Sequence, residues 1–436
     1  MRVVIIGAGQ VGRSIAQELQ HEHDVVVIER SSQRLALLQQ YDVLAIQGNG
    51  ASLKVLQQAE VDKADLVIAS TDVDEVNIVA CAGSKQLGAA FTIARVHDPE
   101  YIETWERGRL GVDFMVCSEL LTSEKIAQLI GVPAAREIHT FVEGRVLMAE
   151  LAVDEGSPLL GRPLQALDLP PGAMIVSLIR NGRVIIPRGD DVVQAGDLMV
   201  SIGTPEAISR LNRRATGRPL PQSVVILGGG RIGYRLALTL ERRSLRPKII
   251  EADPERSRWL AEQLSRTQVF QSDATDLDFL EREHLGEADV GVSVMDKDEK
   301  NLLSALLLKS LGVKRVIVGV ADPDYIEIFE RVGIDVAVSA RKVIAEEILR
   351  FTKSRIAGMS ILEGDRAEVL ELTVSESSPL VGVPLQDASF PKGAIIGAIV
   401  RGKDVIIPHG ENALQPGDRV IVFSKKEVAP EVEKLL

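Results

Sequence analysis

The sequence predicts an α/β protein with two doubly wound parallel-sheet N-lobes, each followed by a small α+β C-lobe, in the order N-C-N-C. Three observations carry this. Apolar runs of strand length alternate with amphipathic segments of helix length. A Gly-x-Gly-x-x-Gly turn follows the first such run and occurs again in the second half. Blocks of sequence return at nearly one offset, roughly 220 residues, the mark of a duplicated unit.

The repeat is read directly. Val3-Val4-Ile5-Ile6-Gly7-Ala8-Gly9-Gln10-Val11-Gly12 returns as Val224-Val225-Ile226-Leu227-Gly228-Gly229-Gly230-Arg231-Ile232-Gly233. Asp98-Pro99-Glu100-Tyr101 returns as Asp322-Pro323-Asp324-Tyr325. Ser157-Pro158-Leu159-Leu160-Gly161 returns as Ser378-Pro379-Leu380-Val381-Gly382, and Gly196-Asp197 as Gly417-Asp418. The predicted boundaries are 1–132 and 217–352 for the N-lobes, and 133–216 and 353–436 for the C-lobes.

In the first N-lobe the strands are read as Arg2–Ile6, Asp24–Glu29, Asp42–Gln47, Leu66–Ser70 and Phe91–Val96, punctuated by Gly, Pro and Asp. Strands alternating with helices imply a parallel sheet covered on both faces. Each N-lobe ends in an apolar helical stretch: Leu120, Leu121, Ile126, Leu129 and Ile130, then Val343, Ile344, Ile348, Leu349 and Phe351. Either helix can pack on its own lobe or on a neighbouring one. The C-lobes show short β-rich runs with Gly-Asp and Pro-Gly turns. Asn212–Gln222, with Arg213, Arg214, Gly217, Pro219 and Pro221, reads as a linker.

Composition narrows the function. Of 436 residues, 45% are hydrophobic and 26% charged, which is ordinary for a globular chain. A net charge of -12 is repelled by phosphate backbones, so no nucleic acid partner is expected. Cys81 and Cys117 have no metal-ligand spacing and read as buried thiols in a reducing compartment. Met1 leads straight into a strand, so no signal peptide is expected. Apolar runs such as Ala394–Val400 are far shorter than the ~20 residues of a membrane span, so no direct membrane insertion is expected.

The glycines point to chemistry. Gly7, Gly9 and Gly12 follow a strand, open a helical pattern (Val11, Ile15, Leu19) and precede Glu29 at the end of the next strand. This is a Rossmann-like arrangement. Gly7 permits the tight turn, Gly9 lets backbone approach a diphosphate, and Gly12 allows helix and strand to pack closely. Exposed N–H groups and the helix dipole then favour phosphate. Glu29 can accept from ribose hydroxyls and repel a 2′-phosphate.

The second copy keeps Gly228, Gly230, Gly233 and Glu251 but has changed elsewhere. Gly48-Asn49-Gly50 becomes Ser272-Asp273-Ala274, and Arg95, an expected phosphate contact, becomes Gly319. These changes should weaken phosphate binding in the second half, and Arg231 in place of Gln10 should offset them in part. Asp72 and Asp296 end the fourth strands, where they either face a ligand or cap a helix.

No catalytic set accompanies the glycine loops. No spacing among the six histidines (21, 23, 97, 139, 284, 409) suggests a triad or metal site. His21 and His23 read as surface residues at a helix end. There is no Gly-x-x-x-x-Gly-Lys-Ser/Thr loop for ATP hydrolysis by that route. Sensing is favoured over catalysis. The rival is an NAD-dependent oxidoreductase with a pocket between N- and C-lobes. A ligand-sensing transcription factor would need a basic helix-turn-helix segment, which is not seen.

Taken together, the chain resembles the TrkA family, the cytosolic subunits of Trk potassium uptake systems. The resemblance rests on the glycine loop with Glu29, on Arg95 followed by Asp98-Pro99-Glu100-Tyr101, and on Ser157-Pro158-Leu159-Leu160-Gly161, and it runs the whole length. It implies a regulatory subunit, not an enzyme, in a homo-oligomeric ring (dimer or tetramer) under a membrane potassium-transporting subunit, on the inner face of the cell membrane. It implies gating by NAD, NADH, ATP or ADP. It places Gly7, Ala8, Gly9, Gln10, Val11, Glu29, Thr71, Asp72 and Arg95 in the first site, with Gly12 and Asn49 beside them. It places Gly228, Gly229, Gly230, Arg231, Ile232 and Glu251 in the second, with Gly233.

Overall fold

The computed structural model describes residues 1–21, 23–108, 110–142, 144–216, 220–354, 358–361 and 367–436. Strand β1 (Arg2–Ile6) is buried from Val3 onward, as a central strand covered on both faces requires. Helix α1 (Gln10–Leu19) buries Val11, Ile15, Ala16 and Leu19 on one stripe. The lobe continues through β2 (Asp24–Glu29), α2 (Ser32–Ala36), β3 (Leu44–Gln47), α3 (Leu53–Gln58), β4 (Leu66–Ala69) and α4 (Asp74–Leu87). It closes with β5 (Thr92–Val96), α5 (Pro99–Glu106), β6 (Phe114–Cys117) and α6 (Ser118–Gly131).

The six strands lie in the order β3-β2-β1-β4-β5-β6, all parallel. The chain reverses its winding between β1 and β4, and ligands of such sheets bind outside the strand ends at that switch. β6 was not among the strands read from sequence. It is four residues long and enters from Asp113, whose carboxylate accepts from the Thr92 N–H and hydroxyl and so ties it to β5. The third strand begins at Leu44, two residues later than expected. As an edge strand it is largely exposed, which blurs its pattern.

The first C-lobe contains β7 (Ala135–Phe141), β8 (Val146–Ala152), β9 (Ala173–Arg180), β10 (Arg183–Ile185), β11 (Leu198–Gly203) and α7 (Pro205–Thr216). Its antiparallel sheet runs β10-β9-β11-β8-β7. Helix α7 corrects the linker expectation. Residues 212–216 are its last turn, held because Ala207, Ile208, Leu211 and Ala215 bury one face while Arg213 and Arg214 stay in solvent. Asn212 is buried and accepts the Ala134 N–H at 2.8 Å. Gly217 and Pro219 lie outside the described residues.

The second half repeats the plan. Its N-lobe is β12 (Val224–Leu227), α8 (Arg231–Arg242), β13 (Lys248–Glu251), α9 (Pro254–Gln263), β14 (Gln268–Gln271), α10 (Leu277–Arg282), β15 (Val290–Ser293), α11 (Asp298–Ser310), β16 (Arg315–Val320), α12 (Tyr325–Arg331), β17 (Val336–Ser339) and α13 (Ala340–Ser354). The sheet order is β14-β13-β12-β15-β16-β17, matching the first. The C-lobe is β18 (Gly358–Ile361), β19 (Ala367–Thr373), β20 (Ala394–Arg401), β21 (Asp404–Ile406), β22 (Arg419–Lys425) and α14 (Ala429–Leu435), with sheet order β18-β19-β22-β20-β21.

The chain divides by kind of lobe rather than by half. Residues 1–126 and 223–349 form one unit, and 127–222 and 350–436 the other. Within the first unit, α6 meets α13 through Lys125 and Glu346 at 3.6 Å, so the terminal helices of the two N-lobes pair inside one chain. The Phe351 side chain lies outside the described residues. Within the second unit, Phe141, Met148, Val176 and Val200 share one core with Val369, Ala398, Val400 and Phe423. Even Gly397 fits there because it lacks a side chain: a Cβ would approach Ile202 to 2.8 Å. The Gly-Asp blocks are turns. Gly196 and Gly417 have φ of 83° and 82°, and Asp197 and Asp418 receive bidentate contacts from Arg180 and Arg401.

Candidate functional site

At the end of β1 the chain turns at Gly7, whose φ of +105° excludes side chains. A Cβ on Gly12 would overlap the Gly7 carbonyl oxygen. Gly228 and Gly233 repeat both constraints. Helix α1 starts at Gln10 with Gly9 as its cap and no side-chain cap, which leaves first-turn N–H groups directed at the cleft. Gly9 and Gly230 are different: each has open space at the missing Cβ, with only Arg34 Nη1, 3.9 Å away, near Gly9.

Glu29 is nearly buried and already occupied. Its carboxylate accepts from the Ala8 N–H at 2.7 Å and from the Ser31 N–H at 2.8 Å. Glu251 does the same with Gly229 and Asp253, at 2.8 and 2.9 Å. Both acids therefore brace the glycine loop, leaving only their remaining lone pairs for ribose hydroxyls.

In the first half, Gly9, Gln10, Val11, Asp72 and Arg95 line a cleft of ≈ 260 Å³. Arg13 and Arg34, which sequence reasoning missed, also line it, and so does Arg341 from the second N-lobe. Gly7, Ala8, Gly12, Glu29 and Thr71 stand behind this lining. Thr71 is held by Asn77, whose side-chain oxygen accepts from the Thr71 hydroxyl at 2.7 Å. Asn49 lies in the loop after β3, where its side chain accepts from the Ala51 N–H. Asp72 does not cap α4, whose cap is Val73; it pairs with Arg34 at 3.3 Å. Asp296 likewise leaves the cap of α11 to Lys297.

Arg95 is 8% exposed. Its Nη2 donates to His97 Nε2 at 2.8 Å, and His97 Nδ1 meets Asp74 at 2.7 Å. A guanidinium cannot accept, so His97 Nε2 accepts and Nδ1 carries the proton toward Asp74. Burial works against the Asp74 charge, but bonds from His97 and Asp98 outweigh it and hold its pKa below the usual value. Burial pushes the Arg95 pKa down, against the pull of Asp72 and Glu119. The Arg95 Nε is buried without a partner, a group prepared for an anion.

The second half carries a larger cleft of ≈ 810 Å³, lined by Gly228, Gly230, Arg231, Ile232, Glu251 and Asp296, among others. Gly229 and Gly233 stand behind it. Among its cations, Arg256 repeats the position of Arg34, five residues after the loop-bracing glutamate, whereas Lys297 and Lys300 are new. Arg256 stacks on Trp259 at 4.2 Å and donates to the Gly229 carbonyl at 2.8 Å. Glu119 reaches this cleft from the first N-lobe.

Two of the three differences expected to weaken the second site have another basis. Gly48 and Gly50 serve packing: a Cβ on Gly48 would crowd Val55, and one on Gly50 would overlap the Ile6 side chain. The added charge of Asp273 is met by Lys300 at 2.9 Å, which holds the Asp273 pKa down to about 2. The loss of Arg95 at Gly319 remains.

No helix among the described residues is long and apolar enough to cross a membrane, and no cluster among them could hold a metal ion. The fold defines a class: tandem Rossmann-like N-lobes, each joined to a small antiparallel C-lobe. Residues 3–118 and 224–340 match the TrkA-N domain, and residues 148–216 and 369–436 the TrkA-C domain. The chain is 40% identical to the Trk system potassium uptake protein TrkA homolog 1 of Methanosarcina mazei, over 100% of this chain and 99% of that one. It is 39% identical to the TrkA homolog of Archaeoglobus fulgidus, over 100% of both. The chain belongs to the TrkA family. Its fold is also that of the GsuK channel bound to NAD, at 20% identity and a TM-score of 0.64, over 100% of this chain and 78% of that one. The GsuK structure bound to ADP scores 0.52 at 17% identity, over 81% and 69%.

Proposed function

We propose that this chain is the nucleotide-sensing regulatory subunit of a potassium uptake system, with NAD(H) and ATP or ADP as its ligands. The observation that carries the reading is the cluster of arginines around the glycine loop in a chain of net charge -12. The like charges of such a cluster attract an anion, and binding one relieves their mutual repulsion. Family membership supplies the process, potassium uptake. In this reading the first-turn N–H groups of α1 and the Arg95 guanidinium receive phosphate, and Glu29 and Glu251 shape the loops and meet the ribose.

The clefts sit in a unit built from both N-lobes, so a ligand that binds one arrangement of that unit better shifts its population. That shift would be passed to a membrane potassium-transporting subunit on the inner face of the membrane. Ring assembly is supported by a matched pair of apolar positions left in solvent. Leu53 and Val79 are 53% and 52% exposed, and their repeat counterparts Leu277 and Leu303 are 41% and 52% exposed. We expect a dimer or tetramer; a monomeric mass by light scattering at micromolar concentration contradicts the ring.

Regulation is favoured over hydride transfer because the family's named process is potassium uptake, and because the one histidine bonded to the cleft arginine Arg95 has its Nε2 engaged by that guanidinium. Calorimetric titration with NAD, NADH, ATP and ADP tests the reading. Saturable binding supports it, and absence of binding by all four removes it. Oxidation of NADH with a panel of carbonyl substrates would instead establish the oxidoreductase.

A further inference from the structure

The two N-lobes exchange one residue each, and the residues exchanged carry opposite charge. Glu119 and Arg341 occupy matching positions: each is the second residue of the helix that follows the last strand, α6 after β6 and α13 after β17. Arg341 lines the cleft of the first half, and Glu119 lines the cleft of the second. We propose that this pair sets different ligand classes for the two sites: the first takes nucleotides ending in an open phosphate, ATP or ADP, and the second takes the dinucleotide NAD(H). The inference rests on the nucleotide-sensing reading above.

Charge and size agree. Among the described residues lining the first cleft, four arginines face one carboxylate, Asp72, with Glu119 and Asp74 acting on Arg95 from outside that lining. In the second, four cations face four carboxylates, Glu119 among them. A terminal phosphate carries more charge than the internal diphosphate of NAD, so it gains most from the first setting and least from the second. The buried, unpartnered Nε of Arg95 lies in the first cleft and has no counterpart at Gly319. The second cleft, at ≈ 810 Å³, is the roomier of the two, against ≈ 260 Å³ for the first, and so better suits the larger dinucleotide. Because Arg341 belongs to the other half, a bound phosphate also clamps the two N-lobes together.

The test uses full-length protein with one site blocked. In a Gly230→Asp background, ATP and NAD are titrated calorimetrically into protein with Arg341, Arg341→Gln or Arg341→Lys. The glutamine variant should weaken ATP about tenfold or more. NAD should bind this background weakly or not at all, because its own site is the blocked one, and lysine should restore part of the ATP loss. In a Gly9→Asp background, Glu119→Gln should strengthen ATP binding severalfold and leave NAD nearly unchanged. NAD binding as tight as ATP binding in the Gly230→Asp background, or no loss of ATP on Arg341→Gln, overturns the assignment while leaving nucleotide sensing intact. If Gly230→Asp protein binds no ATP, the first site is not an ATP site and the inference falls. If the unmodified chain binds no nucleotide, the functional reading itself falls.

Discussion

Arg95 should stabilise the ligand complex while straining the empty protein, and replacing it with methionine separates the two effects. Methionine keeps the buried stem and removes the guanidinium. In the empty protein the group is 8% exposed, its Nε has no partner, and burial with repulsion from Arg341 works against the pull of Asp72 and Glu119. A buried unsatisfied donor costs about 1–3 kcal/mol. The loss of its bond to His97 is small, because the ring is 23% exposed and water can replace it. Arg95→Met should therefore leave the empty protein as stable as before or up to about 2 kcal/mol more stable. Nucleotide binding should move the other way. A charge-assisted contact is worth ~1.5–3 kcal/mol, so ATP affinity should fall about tenfold or more. At an ATP concentration of about 100 times the unmodified dissociation constant, stabilisation by ligand should drop from about 2.7 to about 1.4 kcal/mol. Thermal melts with and without ATP read both numbers. A less stable empty protein with unchanged ATP affinity would show that Arg95 is structural and refute the reasoning.

Three further outcomes follow from the geometry. Glu29 and Glu251 place carboxylates beside the expected ribose, so NADPH should bind at least about tenfold more weakly than NADH by calorimetry; equal affinity would remove that role. Gly12→Ala drives a Cβ into the Gly7 carbonyl oxygen and should cost about 3 kcal/mol by denaturant titration, far more than Gly9→Ala, where the space is open. Asp273 is held at about 2, below its ordinary 3.8, chiefly by the bond from Lys300. A depressed carboxylate stabilises fully above its unfolded value and loses that contribution as pH falls through about 4 toward about 2, so Asp273→Asn should flatten this part of the stability profile, and an unchanged slope would exclude the pair as its source.

The fold was legible because its signals are local and doubled. Five of the six strands in the first sheet are apolar runs bounded by turn residues, and the glycine loop has steric reasons at Gly7 and Gly12 that any reader of sequence can state. The sixth strand, Phe114–Cys117, was missed because four residues after a Gly-Val-Asp turn give no periodicity. The last turn of α7 was read as linker because Arg213, Arg214 and the later prolines outweighed the stripe of Ala207, Ile208, Leu211 and Ala215. The cleft was legible only where it is made of loop backbone and strand ends. Arg13, Arg34 and Arg256 enter from helices, and Glu119 and Arg341 from the opposite half, so no spacing within one motif reveals them. One signal was present in the sequence: at a repeat-matched position, Ser118-Glu119 becomes Ala340-Arg341, a reversal of charge that packing alone does not require.

Potassium uptake measured in cells that lack their own regulatory subunit, with this chain and its transporting partner supplied, bears most directly on nucleotide sensing. Three versions are compared: unmodified, Gly9→Asp and Gly230→Asp, chosen because a Cβ at either glycine meets open space. ATP binding by each purified protein is measured alongside. The account predicts that Gly9→Asp abolishes both tight ATP binding and nucleotide-dependent uptake, and that Gly230→Asp is milder on both. Full nucleotide-dependent uptake by the Gly9→Asp protein, or loss confined to Gly230→Asp, would contradict it.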